Sequence, residues 1–219
     1  MSTELVDVQA QIAAELATLD NTVSPPSGHR ISVKGKVFTL PTGEQSEGPL
    51  EAIILDWRSV NMYYTGIYNP SDPKPPACFA IAKNKADLKP SPHCSDPQAE
   101  SCDEAACPFN KWGSAPGGGK GKACKNTYRL AVVSADATAK TPVWTLEVSP
   151  TGVTGFDNFV TNLKSQYGML PLQVVVAIAF DTTAAYPKLV FGEFKPHNAI
   201  ELAFTLREAA KPLLDREPG

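Results

Sequence analysis

The chain has 219 residues, a length that suits one large domain, or one domain with appendages, and that buries a real core without help from a metal. Its formal net charge of −3 excludes a uniformly basic coat for nucleic acid but leaves room for a local basic face. No apolar run reaches bilayer length, and the acidic start Met1-Ser-Thr-Glu-Leu-Val-Asp lacks the apolar core of an export signal, so we expect a soluble cytoplasmic protein with no membrane partner.

Leu5, Val8, Ile12, Leu16 and Leu19 recur every three or four residues, which predicts an amphipathic helix over residues 4–19. Pro25-Pro26 follows in a linker, so residues 1–24 read as a hinged arm whose apolar stripe docks on the body or on a second subunit. Beyond it the pattern turns to β. Ile31, Val33 and Val37 alternate with polar neighbours around a bulge at Gly35, and Pro41-Thr42-Gly43 is a turn. Strands are expected over residues 50–57, around Met62-Tyr63-Tyr64, and over 78–82, 128–133 and 143–148. Phe156, Phe159, Val160 and Leu163 share one face of a helix over 154–167, stopped by Gly168. Residues 172–180 are almost continuously apolar, the mark of a strand buried on both faces, and 188–194 is its neighbour. An Asn198-x-x-Glu201 capping arrangement opens a last helix over about 199–214.

Many short strands broken by turns, with twenty prolines marking loops and edges, predict a mainly β (α+β) fold. The expected form is a small OB-like barrel over residues 29–197, with an inserted cysteine-rich segment at about 78–126 and the C-terminal helix in 198–219. A flat α+β sheet with the same insertion is the alternative.

All five cysteines fall between residues 78 and 124. A tetrahedral zinc site takes four thiolate or imidazole ligands, and a short Cys102-x4-Cys107 pair supplies two of them from one turn. Cys78, Cys102, Cys107 and Cys124 are the expected ligands, with Cys94 and His93 in reserve. Two disulfides with one free thiol are the competing arrangement; an odd cysteine count and the absence of an export signal weigh against it.

Enzyme signatures are missing. There is no His-Glu-x-x-His pair and no His-x-Glu with Pro-Cys-x-x-Cys, and His29, His93 and His197 stand in no nucleophile constellation, so a non-catalytic protein is expected. The segment Gly117-Gly-Gly-Lys-Gly-Lys122 runs into Ala123-Cys124, with no Ser/Thr and no helix to complete a phosphate loop. Residues 105–135 instead hold no acid while carrying Lys111, Lys120, Lys122, Lys125 and Arg129, with Phe109, Trp112 and Tyr128 interleaved. Cations that track phosphates beside rings that stack bases are the chemistry of single-strand nucleic-acid binding. Trp57, Tyr63, Tyr64 and Tyr68 add further rings beside Arg58.

Five pieces carry a resemblance: Pro75-Pro-Ala-Cys-Phe79, Leu88-Lys-Pro-Ser91, Cys107-Pro-Phe-Asn-Lys-Trp-Gly-Ser114, Gly121-Lys-Ala-Cys-Lys-Asn126 and Tyr186-Pro-Lys-Leu-Val-Phe191. In these the chain resembles a family of early tailed-bacteriophage proteins and is distantly similar to phage single-stranded DNA-binding proteins that carry an inserted zinc site in a β-barrel. The resemblance implies a location in the host cytoplasm. The short mixed-charge stretch 213–219 differs from the acidic tails of replicative single-strand binders. The expectation is a non-sequence-specific single-stranded DNA binder with structural zinc. Its nucleic-acid face comprises Tyr63, Tyr64, Lys111, Trp112, Lys120, Lys122, Lys125, Tyr128 and Arg129. Its partners are single-stranded DNA and a host or phage replication protein, with homo-oligomerisation open. The alternative is a zinc-stabilised interaction module aimed at a host replication or transcription factor.

Overall fold

The computed structural model describes residues 28–66 and 74–218. The helix expected over 4–19, the arm 1–24 that contains it, and Tyr68 lie outside these residues.

A single open sheet organises the chain. Its strands are β3 (Leu50–Tyr63), β4 (Cys78–Ala82), β5 (Lys125–Ser134), β6 (Trp144–Val148), β7 (Val174–Phe180) and β8 (Leu189–Pro196), and every pairing within it is antiparallel. The order is β6-β5-β3-β7-β8, with β4 also paired to β3. A two-residue pair, β1 (Phe38–Thr39) with β2 (Gln45–Ser46), stands apart from it. Among the described residues the two α-helices are α1 (Val153–Asn162) and α2 (Ile200–Leu214). Among the described residues, no helix is long and apolar enough to cross a membrane.

The expected barrel does not close; β6 and β8 are the two ends of the sheet. The reason is visible in the side chains. Ala52, Ile54, Leu130, Val132, Val174 and Val176 form one apolar face with Phe156, Phe159 and Leu163 from the α1 region. Ile53, Leu55, Ala131, Val133 and Val175 form a second with Ala203, Leu206, Ala210 and Leu214 of α2. Strands apolar on both faces need a cover on each, and a helix on either side supplies it where a barrel with one interior would not.

β3 is the axis of the fold. The sequence breaks it into two strands because Asp56, Arg58, Ser59 and Asn61 interrupt the apolar run, yet it continues unbroken for 14 residues. Its polar side chains are matched within the structure: Arg58 pairs with Asp56, and Asn61 accepts from Asn126. The register with β5 shifts between Ile54 and Asp56, and this bulge leaves Leu55 and Asp56 both on the α2 side. Trp57, Ser59, Asn61 and Tyr63 consequently face the α1 side. β7 pairs with residues 50–53 and β4 with 59–63, so residues 54–58 have no strand on that edge. Lys83 enters there, ion-paired to Asp56 and 3.9 Å from the centre of the Trp57 ring.

Two local expectations need correction. Val33 to Val37 is a tight turn rather than a strand: Gly35 and Lys36 both take positive φ, and Lys36 Nζ donates to the carbonyls of Asp181 and Ala184 at 3.2 and 2.5 Å. The Asn198/Glu201 capping box does not form. His197 takes its place, its Nδ1 accepting from the Ala199 N–H at 3.1 Å while Nε2 lies 2.8 Å from the Leu172 carbonyl.

The turn after α1 ends at Gly168 with φ 63°, as its place after the apolar stripe suggests. Nothing stands within 4 Å of where its Cβ would be, so only backbone strain opposes a side chain there. Gly168→Ala is expected to lower stability by about 1 kcal/mol, read as a shift of the urea midpoint at constant slope.

Candidate functional site

The segment joining β4 to β5 carries four of the five cysteines and folds back over the α1-side face of β3. Three backbone contacts close it: Cys102 N–H to the Leu88 carbonyl, Cys107 N–H to the Asp103 carbonyl and Cys124 N–H to the Phe109 carbonyl, at 3.1, 3.0 and 2.8 Å. Asp103 fixes the first turn by accepting from the N–H groups of Ala105 and Ala106. Asn110, buried, donates to the Cys102 carbonyl. Phe109 stacks on Tyr63, ring centres 4.3 Å apart, so β3 and the insertion share an aromatic contact.

Cys78 is the first residue of β4, opposite Tyr63, and Cys124 immediately precedes β5 on the other side of β3. Cys78, Cys102, Cys107 and Cys124 line one cavity of about 10 Å³, the smallest space that holds a single water-sized occupant, about 10–15 Å³. All five cysteines are free thiols. Burial, reinforced by the neighbouring sulfurs, pushes the Cys78 thiol up to about 11 and those of Cys102 and Cys124 up to about 12. Without a cation these three thiols therefore stay protonated at neutral pH. Among the described residues, no group of three or more His, Cys, Asp and Glu side chains stands as a formed metal centre. Of the two reserve ligands, His93 is turned away, whereas Cys94 stands beside Cys78 and is near enough to Cys102 to help raise both thiols. His93 is exposed, with Nδ1 2.7 Å from Glu217, and Cys94 Sγ meets the backbone N–H and carbonyl of Phe79 at 3.1 and 3.3 Å.

The loop 111–122 projects from this cluster. Gly113 and Ala115 donate backbone bonds to Gly121, and Ser114 Oγ donates to Phe109 and accepts from Ala123, tying both ends. Gly113, Gly117 and Gly118 take positive φ, so the glycines serve a compact backbone. Trp112 stands at the base of this loop, whose tip is Pro116–Gly118, and is 74% exposed, with Lys122 Nζ 5.3 Å from its ring centre. Lys111, Lys120 and Lys125 are exposed around it.

The predicted nucleic-acid face is divided by the sheet. Tyr64 is exposed and Tyr63 half-buried against Phe109. Tyr128 is only 4% exposed, packed edge-on to Phe156, with its hydroxyl donating to Asp157 at 2.6 Å, so it offers no free ring for stacking. Arg129 follows it and so points to the other side, where Nη1 donates to the carbonyls of Leu214 and Arg216 and closes the end of α2. Lys122 is ion-paired to Glu104, which stands one residue outside the acid-free window. Ser59, Asn61, Lys85, Asn110 and Asn126, none of them in the predicted face, meet between α1 and the insertion. The period-two placing of Ser59 and Asn61 was the available signal.

No family model, curated protein or solved structure matches the chain. Fold and site define it as a three-layer protein, an open antiparallel sheet between two helices, with a cysteine-rich insertion on one face.

Proposed function

We propose that this is a phage-type, non-enzymatic protein that binds single-stranded DNA with little sequence preference and that holds one structural zinc ion. The observation that carries the reading is Trp112: a large ring at the base of a fixed loop, exposed on a segment that also exposes Lys111, Lys120 and Lys125. Exposed aromatic surface beside unpaired charge suits stacking bases with cations along the backbone. The resemblance of residues 107–126 to tailed-phage proteins supports the same conclusion. Four thiols lining one small cavity are a donor set that suits zinc, which when bound would draw them together and supply the charge that keeps them deprotonated. Cys78, Cys102, Cys107 and Cys124 would hold it, fixing the base of the Trp112 loop to β3, β4 and β5.

Anisotropy of a labelled oligothymidine at two salt concentrations tests this. Trp112→Ala is expected to weaken binding by about 1–3 kcal/mol with the salt dependence unchanged. Lys111→Ala with Lys120→Ala should instead flatten the slope of log K against log salt by somewhat more than one, at about 0.7 per neutralised phosphate. Lys122→Ala should change it less, because Glu104 already neutralises that charge. No binding at micromolar protein in low salt would overturn the reading in favour of a zinc-stabilised module that docks a host replication or transcription factor through the same tryptophan.

A further inference from the structure

The sheet face that carries α1 changes character along β3. Beneath α1 it is apolar, with Ala52, Ile54, Leu130 and Val132. Beyond Trp57 the same face presents Ser59 and Asn61, with Tyr128 and Asn126 directly opposite them on β5. Ser59 and Asn61 are buried, and packing alone gives no reason for that: apolar residues would fill the same positions without loss of hydration. These side chains floor a cleft of about 320 Å³ that opens between the start of α1 and the cysteine-rich insertion, at the lower end of the range of about 300–1,000 Å³ typical of small-molecule sites.

The charges at its rim are already matched. Lys85 pairs with Asp157 at 2.8 Å and Lys122 with Glu104, while the Asp103 carboxylate is taken up by Ser101 and the N–H groups of Ala105 and Ala106, so the cleft offers little to a phosphate or an ammonium group. What remains is amide chemistry. Asn126 Nδ2 donates to Asn61 Oδ1 at 2.8 Å, which leaves the carbonyl oxygen of Asn126 and its second N–H hydrogen to a ligand. Leu88 and Val153 give the cleft apolar flanks. A neutral, planar ring whose edge carries both donors and acceptors fits this lining, and a nucleobase is such a ring. Lys122 lines the cleft and also lies under Trp112, so the two places are one side chain apart.

We infer that this cleft takes a single unstacked nucleobase, its edge bonded to Asn126, while Trp112 stacks on a neighbouring base of the same strand. This rests on the single-strand reading above and adds to it a site that reads bases rather than backbone. It predicts a modest base preference in a protein that otherwise binds any sequence.

Two measurements on the full chain separate the inference from the reading beneath it. In the first, adenosine, guanosine, cytidine and thymidine are titrated to millimolar concentration while the side-chain amide resonances of Asn61, Asn110 and Asn126 are followed by NMR. At least one nucleoside should shift Asn126 and Asn61, and should not do so in Asn126→Leu. In the second, an ordinary oligonucleotide is compared with one of equal length carrying abasic sites. Asn126→Leu should weaken the ordinary strand about tenfold, the worth of a good amide–base pair, and leave the abasic strand unchanged. Asn126→Asp, which keeps size but removes the donor, should fall between. No amide shift with any nucleoside, together with equal effects of Asn126→Leu on both strands, would overturn the inference while leaving single-strand binding intact. Nucleoside shifts without binding of any strand would keep the cleft as a nucleoside site and remove the single-strand reading.

Discussion

Replacing Cys102 or Cys107 by serine is expected to release one equivalent of zinc and to loosen residues 78–126 while the sheet beneath α1 and α2 stays folded. Structural zinc contributes an apparent binding free energy of about 10–16 kcal/mol in small metal domains, and a lost thiolate removes much of it. The insertion's other ties are scattered. Its glycine loop hangs on Ser114, and beyond the Lys83–Asp56 and Lys85–Asp157 pairs at its start it meets the rest of the fold through the Tyr63–Phe109 stack and backbone bonds to Phe79 and Ala77. The two helix-covered cores do not depend on it, since their members lie on the strands and helices outside the segment 83–124. Elemental analysis should therefore find one zinc per chain in the unaltered protein and none in Cys102→Ser. Hydrogen exchange should speed up across 85–124 and remain slow in β3, β5 and β7. Cys94→Ser should change neither, because that thiol is engaged with the Phe79 backbone. A purified protein without metal, or a Cys102→Ser variant that keeps it, would remove zinc from the account.

The same contrast explains which parts of the molecule could be read in the sequence. The helix stripe of Phe156, Phe159 and Leu163, its stop at Gly168, and the two-sided strand over 174–180 all bury what their periodicity says they should. The sheet stays open for a reason carried by the same strands: residues 52–55 alternate between two apolar faces, and that pattern asks for helices on both sides. The continuation of β3 past Trp57 was hidden because its polar residues find partners far off in the chain, Asp215 for Arg58 and Asn126 for Asn61. Of the candidate site, the four clustered thiols and the exposed Trp112 follow from local pattern. The burial of Tyr128 and the turning of Arg129 to the opposite face follow only from strand pairing, which makes neighbours along the chain point apart. The Glu104–Lys122 pair and the asparagine-floored cleft are assembled from separate segments, and the alternation of Ser59 and Asn61 is the one local trace of the cleft.

Asp56 is where the second large effect is expected. Its carboxylate, with the side chain only 5% exposed, sits at the bulge of β3 with Arg58 at 3.1 Å, Arg207 of α2 at 3.7 Å, and Lys83 plugging the gap between β7 and β4. Arg58 in turn reaches Asp215 at 2.6 Å, so one buried acid ties the middle of the sheet to both the body and the end of α2. The Arg207 Nε is buried without a hydrogen-bond partner among the described residues, which makes the position intolerant of a further loss of negative charge. Asp56→Ala strands these guanidinium groups and should cost about 3 kcal/mol in urea unfolding. Lys83→Ala, whose ammonium is 43% exposed and hydrated when unpaired, should cost about 1 kcal/mol or less. The pH dependence has a definite sign. Burial alone would raise the Asp56 pKa, but Lys83 and Arg58 outweigh it and hold the folded value below 3.8. Its contribution is therefore fully present above the unfolded value near 3.8 and is lost as the pH falls through the lower folded one. Asp56→Ala should accordingly flatten the acid limb of the stability profile as well as lower it at neutral pH. A shift no larger than that of an ordinary surface change, within about 0.5 kcal/mol, would mean that Asp215 and Arg129 anchor the end of α2 to the sheet without Asp56.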